Sequence, residues 1–255
     1  MKLHLSSLSL CLKGFEENIE EVASNFEGWQ LVAEGRHSPE MVSDVFEDLS
    51  GSYDLQYTVH LPMDDINLAS LNRSIRTASI NECARAISTF SLLGVTTFVL
   101  HPGNYSLLSF QERERAIVLS REAIISLSSY AASHNSTLLV ENLPSDTFAL
   151  GSRYSEMRKI IDGTRAGLCL DISHALLEGE LSAFLAARDS IKMLHISDND
   201  GKSDCHLPIG RGVSDHSSIL RNLHTMNCPL VIEARNLPEA IEGKNYLTRI
   251  LGSFV

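Results

Sequence analysis

Short apolar runs along this chain end, again and again, on a histidine or a carboxylate. Tyr57-Thr58-Val59 ends in His60, Phe98-Val99-Leu100 in His101, and Leu138-Leu139-Val140 in Glu141. Leu168-Cys169-Leu170 ends in Asp171, Lys192-Met193-Leu194 in His195, and Leu230-Val231-Ile232 in Glu233. A short apolar run bounded by turn residues reads as a buried strand. The pattern predicts strands at 3–10, 30–33, 55–60, 96–101, 137–141, 167–171, 191–195 and 230–233. Between them the apolar spacing becomes helical. Residues 14–25 carry Phe15, Ile19 and Val22 on one face, followed by Phe26. Ser38-Pro39-Glu40 opens the next helix with a Ser cap and Pro at the first position. A long helix over 71–93 stops at Gly94. Others are expected at 109–134, 154–162, 181–188, 216–226 and 238–251.

Strands alternating with helices imply βαβ units and a parallel sheet. Eight such units predict closure into a (β/α)₈ TIM barrel, a single α/β domain over residues 1–255, which is the usual size for that fold. An open doubly wound sheet is the alternative, but it leaves the polar groups on six strand tips unexplained. In a closed barrel those tips face one cavity.

No stretch approaches the roughly 20 consecutive apolar residues of a membrane span. The opening MKLHLSSLSLCLKGF alternates and lacks a small-residue cleavage site, so it reads as a first strand rather than a signal peptide. Five cysteines, an odd number without CxxC spacing, fit a reducing cytoplasm better than a disulfide framework. The formal charge of −11 disfavours a nucleic-acid partner, which calls for a basic face. A small-molecule partner in the cytoplasm is expected, with no membrane; self-association into a homo-oligomer is left open.

Taken singly, each strand-tip histidine is an ordinary structural hydrogen-bonder, and each glutamate could cap loop amides. Gathered around one buried mouth, six unpaired polar groups would carry a desolvation cost without a cation. Imidazole and carboxylate are also the ligands that hold divalent Zn, Mn, Co or Fe. Asp171-Ile172-Ser173-His174 adds a further imidazole at a strand-to-helix turn, where positions three apart share a side. Asp204 and His206 flank Cys205 and would point to one side in extended backbone. Gly210 and Gly212 let the following loop turn tightly. Asp198, Asn199 and Asp200 read as a solvated turn; His4, His37, His134, His216 and His224 read as surface or packing residues. Cys169 and Cys205 flank better ligands and stay outside the set. Arg36, Arg153, Lys202, Arg211 and Arg235 are candidates to bind a substrate phosphate or carboxylate at the mouth.

With these residues in view, the chain resembles the xylose isomerase-like TIM barrel superfamily, which contains the sugar phosphate isomerases/epimerases and endonuclease IV. The resemblance runs through all eight βα units. Its most specific pieces are HLP at His60, HPG at His101, VEN at Glu141, CLDISHALLEG around Asp171 and His174, HISDNDGKSDCHLPIGRG from His195, and VIEA at Glu233. The resemblance implies one to three divalent ions, Zn or Mn, with Fe or Co as further options. His60, His101 and Glu141 would serve the first ion. Glu141, Asp171, His195 and Glu233 would serve the second, with Glu141 bridging, and His174, Asp204 and His206 the third. Single-metal epimerases of the superfamily use only the second set, where the two glutamates matching Glu141 and Glu233 also act as acid and base.

The departures concern DNA. In endonuclease IV an aromatic wedge closely follows the first metal histidine; here His60-Leu61-Pro62-Met63-Asp64-Asp65 has no aromatic and two acids. A DNA intruder calls for a flat apolar wedge with cationic neighbours. The loop after His195 is shorter, and the usual GEG has become Gly210-Arg211-Gly212. The expectation is therefore a metal-dependent isomerase or epimerase acting on a sugar or sugar phosphate through an enediolate. The alternative is an endonuclease IV-type multi-metal phosphoester hydrolase. A third reading, a non-catalytic sugar sensor, sits poorly with a complete ligand set, although fold alone never proves activity.

Overall fold

The computed structural model describes residues 1–144 and 148–254. Eight parallel strands close on themselves in chain order, from β1 back to β8. They are β1 (Leu3–Ser6), β2 (Gly28–Val32), β3 (Gln56–His60), β4 (Thr97–Leu100), β5 (Thr137–Glu141), β6 (Gly167–Asp171), β7 (Ile191–Ile196) and β8 (Leu230–Glu233). Nine α-helices pack outside among the described residues. These are α1 (Phe15–Asn25), α2 (Pro39–Leu49), α3 (Arg73–Leu92), α4 (Arg113–Ser133), α5 (Tyr154–Ile161), α6 (Ile172–Leu177), α7 (Leu181–Leu185), α8 (His216–Leu223) and α9 (Leu237–Gly252). The chain is thus a (β/α)₈ TIM barrel, and because every strand runs the same way, all strand C-termini lie on one rim. None of the described helices is long and apolar enough to cross a membrane.

Side chains two apart on a strand share a face. That period sorts the strands into an outward set, which packs on the helices, and an inward set. The outward set joins the main core, with Leu5, Leu31, Val59, Phe98, Leu138, Leu170, Leu194 and Ile232 all buried. The inward set, two residues below the rim, forms a separate small core of Val99, Leu139, Cys169, Met193 and Val231. His4, Gln30 and Thr58 complete that layer and are also buried. Gln30 donates to the Met193 sulfur across the lumen at 3.1 Å. Gly28 leaves room for the His4 ring, which a Cβ there would strike. The next inward layer up is the rim itself.

Three expectations need correction. The first strand does not run to residue 10. It stops at Ser6, and Leu8–Leu12 forms a 3₁₀-helix. The apolar alternation changes parity at Ser6-Ser7, so a continued strand would have driven Leu8 and Leu10 into the lumen mouth. The region read as one helix over 181–188 is α7 followed by a 3₁₀ turn at Arg188–Ser190, and α6 precedes it directly at the end of β6. Ser38 stands at the N-cap of α2 with Pro39 behind it, but its side chain makes no capping hydrogen bond.

His37 is a packing residue, as are His4 and His216, whereas His224 is exposed. The His37 ring lies edge-on to Trp29 at 5.5 Å. Burial pushes its pKa down to about 4. The unfolded chain therefore binds a proton that the folded one refuses between roughly pH 6.5 and 4. The stabilisation from a neutral His37 is present above pH 6.5 and is lost as the pH falls through about 4. Denaturant titrations should show a shallower loss of stability across that window for His37→Phe than for the wild type. Identical slopes would show that His37 titrates alike in both states.

Candidate metal centre

Glu141, at the tip of β5, is the side chain most widely shared at the rim. Its Oε2 lies 3.3 Å from His60 Nε2 and 3.7 Å from His101 Nε2. Its Oε1 lies 3.2 Å from His195 Nδ1 and 3.8 Å from His174 Nδ1. His195 Nδ1 also faces Glu233 Oε1 at 3.0 Å. The barrel brings these groups together because strand pairing sets Asp171 beside His195 and Ser6 beside Glu233.

Four sets of potential ligand atoms each lie within 4.8 Å of one another: His60, His101 and Glu141; Glu141, Asp171, His195 and Glu233; His174, Asp204 and His206; and Glu141, Cys169 and His195. The first three are the groups named from the sequence. The fourth brings in Cys169, one layer below the rim, a residue left out because its neighbours were better ligands. In the third set, Asp204 Oδ2 lies 3.1 Å from His174 Nε2 and 3.0 Å from His206 Nε2. His206 has φ +45°, so the two loop residues meet through a left-handed turn rather than the extended backbone expected.

Hydrogen bonds behind the rim orient the rings. His60 Nδ1 pairs with the Leu61 carbonyl at 2.9 Å, and His174 Nδ1 with the Asn142 carbonyl at 2.8 Å. With Nδ1 donating there, Nε2 is the ring nitrogen turned toward the carboxylates, the one that would take a metal once its proton is displaced, and the backbone bond fixes the ring for that role. Asn142 also spans β5 to β6: its amide donates to the Asp171 carbonyl and its oxygen accepts the Asp171 N–H. The Asp171 carboxylate caps α6 by accepting the His174 N–H at 2.6 Å. Sequence reasoning quoted Asn142 inside VEN without a role; a buried amide beside a strand-tip acid was its one signal.

The turn expected to be solvated at residues 198–200 is only partly so. Asp198 and Asn199 are buried. The Asp198 carboxylate accepts N–H groups from Gly210, Gly212, Ser214 and Asn199. A Cβ on Gly212 would overlap that carboxylate. Asp198 thus closes the base of the loop that presents Asp204 and His206. Asp200 alone behaves as read, exposed and accepting the Lys202 and Ser203 N–H groups.

The electrostatics of the rim follow from burial. Burial alone would raise Glu141, yet His195, His60 and His101 hold it well below the usual carboxylate range. Burial raises Asp171 to about 6, against the pull of His174. His174 rises to about 10 and His206 to about 9, because neighbouring carboxylates outweigh burial. His101 falls to about 4, through burial and the nearby His60. The imidazole protons stand where a cation's charge would stand, and loading a metal has to displace them. Asp171 Oδ2, Asp204 Oδ1 and His195 Nε2 are buried without a hydrogen-bond partner among the described residues, and His195 Nδ1, though 3.0 Å from Glu233 Oε1, lacks hydrogen-bond alignment with it. Orphaned donor atoms in a His/carboxylate set fit a divalent cation.

The basic candidates are placed differently. Arg235 borders the cavity, but its guanidinium is committed in a fork to Glu239. Arg211 forks onto Glu242, and Arg36 lies 3.8 Å from Glu17. Arg36, Arg153, Lys202 and Arg211 do not line the cavity.

Elemental analysis of protein purified without chelator separates the groups. Glu141→Gln, which touches three of the four sets, is expected to lose most of the bound metal. Asp204→Asn is expected to retain the metal held by the sets that exclude it. Equal metal content in both variants and the wild type would dissolve the assignment.

An uncharacterized protein of Methanocaldococcus jannaschii, MJ1311, is 29% identical over 264 residues, covering 98% of this chain and 89% of its own. A probable endonuclease 4 of Aquifex aeolicus is 26% identical over 198 residues, covering 69% of each. The crystal structure of a D-tagatose 3-epimerase-like protein superposes with a TM-score of 0.92 at 26% identity, over 100% of this chain and 98% of that one. With residues 19–250 matching the family described as xylose isomerase-like TIM barrel, the chain belongs to that family.

Proposed function

We propose that this protein is a metal-dependent isomerase or epimerase acting on a small polyhydroxylated carbonyl compound. The observation that carries the reading is the convergence of Glu141, Asp171, His195 and Glu233 on one point beneath the open cavity. Two of the four are carboxylates that border the cavity from different strands, which is what a proton taken from one side of a carbon and returned on the other requires. Glu141, Asp171, His195 and Glu233 would hold a divalent cation, Zn or Mn with Fe or Co as options, which when bound would supply Lewis acidity to a substrate carbonyl. Asp171 and His195, both fully buried, hold position. Glu141 and Glu233 exchange the proton; Glu233 is the more open of the two, with 13% of its side chain exposed against 1%. The D-tagatose 3-epimerase-like neighbour supports the same chemistry.

One observation favours the second reading, an endonuclease IV-type phosphoester hydrolase. The His60/His101 and His174/Asp204/His206 groups are assembled as well, and a one-ion epimerase has no use for them. Clustered ions can activate water and hold both the attacked and the leaving oxygen. The acidic charge and the segment 61–65 oppose a DNA substrate.

Metal-loaded protein should exchange a ketose α-proton with solvent deuterium, read by proton NMR, and Glu233→Gln should slow that exchange at least a hundredfold, in the range of a lost general base. One tightly held ion per chain favours the epimerase, two or three the hydrolase. Catalytic incision of abasic duplex, abolished by Glu141→Gln, together with no exchange on any ketose, would transfer the assignment to the hydrolase.

A further inference from the structure

The cavity above the rim holds about 830 Å³, toward the upper end of the roughly 300–1,000 Å³ typical of sites for drug-sized ligands. A free monosaccharide would fill its floor and leave the rest to water. The character of the lining changes with height. The floor is the metal-competent set. The wall above it includes Leu8, Leu12, Met63, Leu143 and Pro144, with Ser7 and Ser9 beside the leucines. Leu8 and Leu12 come from the 3₁₀-helix that replaces the expected end of β1, and they are 46% and 74% exposed. Isolated exposed leucines are ordinary; two set along the wall of the same cavity as the metal-competent floor mark an apolar binding surface.

Charge on that wall points the same way. Above the floor, the ionisable lining groups besides Cys11 and Cys205 are Glu34, Asp64 and Arg235. Arg235 is already spent on Glu239 through two hydrogen bonds, at 2.8 and 2.9 Å. Glu34 accepts the N–H groups of Met63 and Asp64, which fixes an acid at the cavity edge. A phosphate reaching up from the floor would meet two carboxylates and, among the described residues, no uncommitted Lys or Arg, the reverse of a phosphate site.

We infer that the substrate is an unphosphorylated polyhydroxylated carbonyl compound whose end remote from the reacting carbons bears an apolar group, seated on the Leu8–Leu12 wall. The inference rests on the isomerase or epimerase reading and narrows its substrate class. The carbonyl and its neighbouring hydroxyl lie at the floor, and the apolar substituent displaces water from the leucines and Met63. Each methylene fully buried there contributes about fourfold in affinity, from roughly 0.8 kcal/mol per buried CH₂.

The test uses the full chain loaded with Mn or Zn and three matched probes for each of several ketohexoses: the free sugar, its 6-phosphate and its 6-O-butyl ether. Binding is read by calorimetry and α-proton exchange by NMR. The butyl ether is expected to bind at least tenfold more tightly than the free sugar, with the phosphate weakest. Leu8→Ser/Leu12→Ser should collapse the ether-to-sugar ratio toward one. Leu12→Lys, a change at a largely exposed position, should raise the phosphate relative to the ether. Exchange on the free sugar without an ether advantage, or with a phosphate preference, overturns this inference and leaves the isomerase reading standing. So does a Leu8→Ser/Leu12→Ser variant that changes the oligomeric state while preserving the ether-to-sugar ratio, since the leucines would then serve a second copy of the chain. Neither binding nor exchange with any probe overturns the isomerase reading and this inference with it.

Discussion

A carboxylate buried like Glu141, 1% exposed at the centre of a barrel mouth, is an electrostatic liability unless positive charge surrounds it. Much else at the rim answers that constraint. Imidazoles arrive from β3, β7, the segment after β4 and the first turn of α6, and each stands within 3.8 Å of the carboxylate. Two of them, His60 and His174, are held in turn by the backbone carbonyls of Leu61 and Asn142. Asn142 then ties β5 to β6, so the register of that strand pair and the orientation of the candidate ligands rest on the same bonds.

That dependence explains why so much of the molecule was legible in the sequence. A parallel strand buried on both faces reads as an apolar run, and its last residue reads as the rim. His60, Glu141, Asp171, His195 and Glu233 each terminate such a run, and closure alone brings them together. His174 was legible through its three-residue spacing from Asp171. The helices were legible because their apolar stripes face the outward strand residues. The family resemblance grouped the ligands into three sets, which spacing alone had not done.

What was not legible depends on contacts between segments far apart in the chain. Asp198 sits in a run of polar residues that looks solvated; its burial is set by N–H groups twelve to sixteen positions later. The end of β1 was misplaced because leucines alternate on both sides of Ser6-Ser7, and the parity change between them matters only once a lumen exists for them to avoid. The arginines were placed at the mouth by their position after strand tips. Arg36, Arg211 and Arg235 are engaged by Glu17, Glu242 and Glu239, which lie on helices and leave no mark on the strand tips.

The Asp198 anchor also has a meaning for how such barrels diversify. Because one carboxylate clamps both ends of the segment carrying Asp204 and His206, that segment is a cassette. Its length and contents can change while the clamp, β7 and the rest of the rim stay as they are. A barrel built this way can acquire or shed its outermost ligand group by loop replacement alone. Neighbouring chemistries then lie a few substitutions apart on one unaltered scaffold.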